Sequence, residues 1–96
     1  MGKITVKFFA SFREATGKSQ IEMDPSQCKD VGELLDALVK QFGKNLEKQL
    51  YEGGTRKLRE TVNILVDGRG INLLKGLNTP LADGNVVAIF PPVSGG

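Results

Sequence analysis

Near the start of the chain, Ile4, Val6 and Phe8 alternate with Thr5, Lys7 and Phe9, the two-residue period of a strand that buries one face. Residues 11–19, with Thr16-Gly17-Lys18 among them, read as a connection, after which Gln20-Ile21-Glu22-Met23 alternates again until Asp24-Pro25 stops it. Two strands joined by a short link predict an antiparallel hairpin. From Val31 the period changes. Val31, Leu34, Leu35, Leu38, Val39 and Phe42 fall on one helical stripe, with Asp30 placed to cap the N-terminus, Glu33 to reinforce it, and Gly43 to take a left-handed C-terminal turn. Residues 44–51 allow a short second helical turn through Leu46 and Leu50, ended by Gly53-Gly54. Val62, Ile64 and Val66 alternate in a third strand that closes at Asp67-Gly68, a pair suited to positive φ. Ile71-Asn72-Leu73-Leu74 reads as a short fourth strand. An irregular stretch through Thr79-Pro80 and Ala82-Asp83-Gly84 then leads to a last apolar strand, Asn85-Val86-Val87-Ala88-Ile89-Phe90.

Hairpin, helix, then further strands, with one main amphipathic helix to cover one face of one sheet, define an α+β roll of the β-grasp, or ubiquitin-like, type with a mixed sheet of four or five strands. A right-handed crossover and the apolar character of the first and last strands place those two side by side and parallel at the sheet centre. Residues 1–96 then form a single domain, with a flexible tail over residues 91–96.

Ninety-six residues suffice for one core and leave no room for a second catalytic domain. A net charge of +2, with both signs interspersed, supplies no concentrated field for a phosphate backbone; the densest basic cluster, Arg56, Lys57 and Arg59, sits in what reads as a solvated loop. Nucleic acid is therefore not an expected partner. Histidine is absent, which removes the commonest general base and metal ligand, so no metal or cofactor site is expected on this chain. The lone Cys28 has no activating partner at a suggestive spacing and rules out an intramolecular disulfide framework. With no signal-peptide pattern and no apolar run long enough to span a bilayer, the expectation is a cytoplasmic protein without a membrane partner.

The chemistry-bearing segment is the end of the chain, Pro91-Pro92-Val93-Ser94-Gly95-Gly96. Two prolines cannot donate to a sheet and favour an extended form, so the last strand should stop and the tail should leave the body. Six extended residues reach roughly 20 Å, enough to enter another protein's cleft. Gly95 and Gly96 lack Cβ and can thread where a larger side chain would clash. A frayed end is the ordinary reading of terminal glycines, but here a stiff spacer and a central strand aim them.

Phe90-Pro91-Pro92-Val93-Ser94-Gly95-Gly96, preceded by Thr79-Pro80-Leu81-Ala82-Asp83-Gly84-Asn85, resembles the C-terminal signature of the MoaD family, the small subunits of molybdopterin synthase. Val6-Lys7-Phe8-Phe9-Ala10-Ser11-Phe12-Arg13-Glu14 is similar to that family's first strand and turn. Two stretches, residues 44–59 and 69–78, make the chain longer than the shortest members. The resemblance implies a sulfur carrier without catalytic side chains of its own. Its Gly96 carboxylate would be adenylated by an E1-like (MoeB-like) enzyme, converted to a thiocarboxylate, and used by a MoaE-like large subunit on a pterin precursor. ATP would belong to the partner, since Gly68-Arg69-Gly70 lacks the spacing of a phosphate-binding loop. A carboxylate ionised at neutral pH is a poor electrophile, so it needs AMP as a leaving group before any nucleophile attacks. The same activated Gly96 would serve a ubiquitin-like modifier joined to lysine amines, or sulfur delivery to thiamine or transfer RNA; a plain interaction module is the remaining reading. Phe9 and Phe90 are placed on the sheet face opposite the helix, unless residues 44–59 fold over it, and are the candidate partner-binding patch.

Overall fold

The computed structural model describes residues 2–53 and 57–91. β1 (Ile4–Phe8) pairs antiparallel with β2 (Gln20–Met23) and parallel with β5 (Val86–Phe90). β3 (Asn63–Val66) pairs antiparallel with β5 and with the two-residue β4 (Arg69–Gly70), giving one sheet of order β2-β1-β5-β3-β4. The central parallel pair bridged by a helical crossover is the β-grasp, ubiquitin-like topology expected from the sequence. Every second residue of the central strands, Ile4, Val6, Phe8, Ile64, Val66, Val87 and Ile89, is buried in the core shared with the helices.

Helix α2 (Val31–Phe42) lies across that face and buries Val31, Leu34, Leu35 and Leu38. Its start is closed as the sequence predicts. The Glu33 N–H, a first-turn donor that the helix cannot satisfy itself, donates to the Asp30 carboxylate at 2.8 Å, and the Glu33 carboxylate accepts at 2.9 Å from the N–H of Lys29, the residue before the cap. Gly43 does take positive φ, 91°, but with ψ −165°, outside the left-handed helical well. Instead of ending helical structure it redirects the chain into α3 (Lys44–Leu50), where Leu46 and Leu50 join the same core as α2. The weakly patterned turn is thus a helix, and it lies on the already covered face of the sheet.

Two expectations are corrected. Residues 11–19 are not a plain connection, because α1 (Ser11–Thr16) forms there, burying Phe12 and ending at Gly17 in the left-handed conformation. Nor is Ile71-Asn72-Leu73-Leu74 a strand. The fourth strand is Arg69–Gly70, just past the Asp67-Gly68 turn, and Ile71–Leu73 is a 3-10 turn. Only Ile71 of that apolar run turns inward; Leu73 is 86% exposed. Among the described residues no helix is long and apolar enough to cross a membrane.

Candidate functional site

The end of β5 is fixed from both sides. Ile89 sits opposite Phe8 on the parallel partner, and Phe90 opposite Asn63 on the antiparallel one, so pairing holds to the last residue before Pro91. Pro91 has no N–H and β5 stops there. The last strand therefore ends in the middle of the sheet, between β1 and β3. The expected projection of the tail, and the carrier role of Gly96, Gly95, Ser94, Val93 and Pro92, fall on residues 92–96, outside the described residues.

At the end of β5 Phe9 and Phe90 meet. Their rings stack with centroids 4.3 Å apart and planes 9° from parallel. The parallel register makes them neighbours, since Phe8 beside Ile89 puts the following residues side by side on the opposite face. Such a pair contributes about 0.5–1.5 kcal/mol beyond the area it buries. Sequence reasoning did not extend the patch to Leu65, Val86 and Ala88, which share this face and are, like both rings, only partly buried. The signal was available, because each alternates with the buried Ile64, Val66, Val87 or Ile89. Residues 44–50 do not cover this face, because α3 packs on the other one.

Local backbone holds Phe9 in place. Ala10 has φ 51° and ψ −121°, the values of the first central position in a type II′ turn, and the Phe12 N–H donates to the Phe9 carbonyl at 3.1 Å. Glycine normally takes that position, and nothing in the composition announced an alanine there. At the other end of β5, the Asp67 carboxylate accepts from the Val86 N–H at 2.9 Å and the Asn85 side-chain amide at 2.6 Å, and Asn85 accepts from the Ala82 N–H at 2.7 Å. The strand that carries the tail is thereby anchored where it begins.

Cys28 is not built for chemistry. It is fully buried, its thiol donates to the Asp24 carbonyl at 3.4 Å, and its pKa is raised above the ordinary value by burial, then by the charges of Asp24 and Glu33. A thiol that holds its proton more tightly is a weaker nucleophile at neutral pH.

A β-grasp roll with a parallel central pair, a strand fixed to its last residue and a diglycine sequence beyond it defines the class of small ubiquitin-like carrier proteins. The profile of the ThiS family matches residues 6–96, and the chain belongs to that family. It is similar to small archaeal modifier protein 3 of Haloferax volcanii, with 36% identity over 98% of this chain and 99% of the relative. Among solved structures, small archaeal modifier protein 1 of Methanosarcina acetivorans superposes with a TM-score of 0.85 at 34% identity, covering 100% of this chain and 98% of that one. A candidate subunit 1 of the molybdopterin converting factor from Pyrococcus furiosus gives a TM-score of 0.72 at 32% identity, covering 97% of this chain and 100% of that one.

Proposed function

We propose that this chain is a ubiquitin-like protein modifier, attached to other proteins through the carboxylate of Gly96. An E1-like partner activates that carboxylate: an oxygen of Gly96 attacks the α-phosphorus of ATP, pyrophosphate leaves, and an acyl adenylate results. A lysine amine then attacks the carbonyl carbon, AMP departs with the bonding pair, the nitrogen loses a proton, and an isopeptide amide remains. The chain's own side chains take no part in these bond changes. Their work is to present the end of β5 and to dock the partner through Phe9 and Phe90. The observation that carries this reading is the match to proteins named as modifiers along nearly the full length of both chains. The diglycine ending is consistent with it. The test is purification from the native host followed by mass analysis of conjugates. Lysine peptides bearing the Gly95-Gly96 remnant are expected, and a chain found only unconjugated, with Gly96 as carboxylate or thiocarboxylate, contradicts the modifier role.

A second reading has its own support. Resemblance of the Pro91-Pro92-Val93-Ser94-Gly95-Gly96 ending to the MoaD signature, together with the likeness to a candidate molybdopterin converting factor subunit, favours a sulfur carrier in the small-subunit position of molybdopterin synthase. The adenylate is common to both readings. Here hydrosulfide attacks the carbonyl carbon, AMP departs with the bonding pair, and loss of the sulfur's proton leaves a Gly96 thiocarboxylate, the sulfur that a large subunit then transfers to a pterin precursor. A thiocarboxylate in the native-host mass spectrum, with copurification of such a subunit, supports it.

A further inference from the structure

Leu73 and Leu74 are the large apolar side chains that stand exposed among the described residues, Leu73 at 86% and Leu74 at 38%. They line a hollow of about 660 Å³ with Val66, Arg69, Lys75 and Pro80. Its position is informative. β3 runs from Asn63, opposite Phe90, to Val66, opposite Val87, so the turn at Asp67 and the hollow beyond it lie at the end of the sheet where β5 begins, away from Phe90.

The hollow is preformed. The Lys75 N–H donates to the Thr79 hydroxyl at 3.1 Å, that hydroxyl donates to the Gly76 carbonyl at 2.7 Å, and the Asn78 and Thr79 N–H groups close 3-10 turns on Lys75 and Gly76. Little ordering is therefore left to be done on binding. Its charge is net positive, two cations against one carboxylate. Asp67 also lines it, but that carboxylate already accepts from Val86 and Asn85, whereas Arg69 and Lys75 are exposed and have no acidic partner among the described residues. A second copy would bring one net positive lining against another, whereas an acidic segment meets Arg69 and Lys75 with opposite charge. A bilayer, being flat, would leave a concave hollow unfilled, and two leucines supply little anchoring area.

We propose that this hollow is a protein-docking surface for a segment with an apolar anchor flanked by carboxylates, separate from the Phe9 and Phe90 pair at the other end of β5. The anchor side chain enters between Leu73, Leu74 and Val66, and its acidic neighbours face Arg69 and Lys75.

The test is titration of ¹⁵N-labelled full chain with a synthetic helical peptide of leucines and glutamates, and with the same peptide carrying lysine for each glutamate. The glutamate peptide should shift the amides of Val66, Arg69, Leu73, Leu74, Lys75 and Thr79 saturably, and added salt should weaken it. Leu73→Ser should raise Kd about ten-fold or more, the loss expected of a central apolar anchor. Arg69→Glu with Lys75→Glu should reverse the preference toward the lysine peptide. Absence of binding at this hollow up to about 1 mM peptide overturns the proposal. So does equal binding of both peptides, a concentration-dependent dimer abolished by Leu73→Ser, or attachment to phosphatidylglycerol vesicles without peptide binding. No step uses the C-terminus, so the result is independent of whether Gly96 is ever activated.

Discussion

Replacing Ala10 with glycine should make the protein more stable, against the usual direction of an alanine-to-glycine change. In a strand or helix interior such a change costs about 0.5–1 kcal/mol, because glycine gives up more conformational freedom on folding. Ala10, however, sits at φ 51° and ψ −121°, where its Cβ is crowded by its own backbone. A residue held in so sparsely populated a region costs of order 1–3 kcal/mol, and glycine removes that cost. The side chain itself is exposed, so deleting its methyl forfeits little packing. Relief exceeds entropy, and the net gain is about 1 kcal/mol. For a domain of this size, that raises the midpoint of thermal unfolding by roughly 4–8 °C. Ala10→Val should do the opposite, since a β-branched side chain fits positive φ worse than alanine. Scanning calorimetry on the three proteins reads both effects. An Ala10→Gly midpoint equal to or below that of the parent refutes the reasoning, and would mean that the turn after Phe9 is not strained.

Asp30→Ala removes the acceptor of the Glu33 N–H and should lower stability by about 1 kcal/mol, measured by urea unfolding, with Asp30→Asn largely preserving it. Cys28 should resist alkylation by iodoacetamide in the folded protein and react at once in guanidinium. Its folded pKa lies above the ordinary 9.0, so the folded state keeps the thiol proton to higher pH than the unfolded chain does. Stability linked to Cys28 is therefore whole below about pH 9 and falls as pH rises through the folded value, a loss that Cys28→Ala should lack in alkaline denaturation curves. Phe9→Ser combined with Phe90→Ser should slow activation by an E1-like partner at least about ten-fold through KM, while circular dichroism and a cooperative melt show the fold retained.

How much of this was legible in the sequence depends on which force set each element. The strands around Val6, Ile64 and Val87 and the helix from Val31 carry a clean apolar period because one face of each is buried, so the core and the parallel central pair could be inferred before any coordinates. The caps at Asp30 and Glu33 were equally readable, since carboxylates before an apolar stripe have a specific backbone partner. α1 was not, because six residues with one buried side chain, Phe12, have no period to detect. The run at Ile71-Asn72-Leu73-Leu74 misled for a different reason. Its apolar residues look like strand, yet after the two-residue β4 only Ile71 turns inward, and the leucines that follow belong to the surface. Phe9 and Phe90 were placed on one face by alternation alone, but their stacking needed the register, in which β1 and β5 run parallel with Phe8 beside Ile89. The bonds from Asp67 to Asn85 and Val86 join residues eighteen and nineteen positions apart and leave no local pattern.

Modifier and sulfur carrier share one requirement, that another protein can seize and activate the last carboxyl of the chain. The direct measurement is incubation of the full chain with a cognate E1-like enzyme and ATP, followed by the mass of the C-terminal peptide. An AMP adduct confined to Gly96, absent without ATP and absent when Gly95 and Gly96 are deleted, is the predicted result. An unmodified Gly96 under conditions where that enzyme activates another substrate, or an adduct on a side-chain carboxylate instead, contradicts the account.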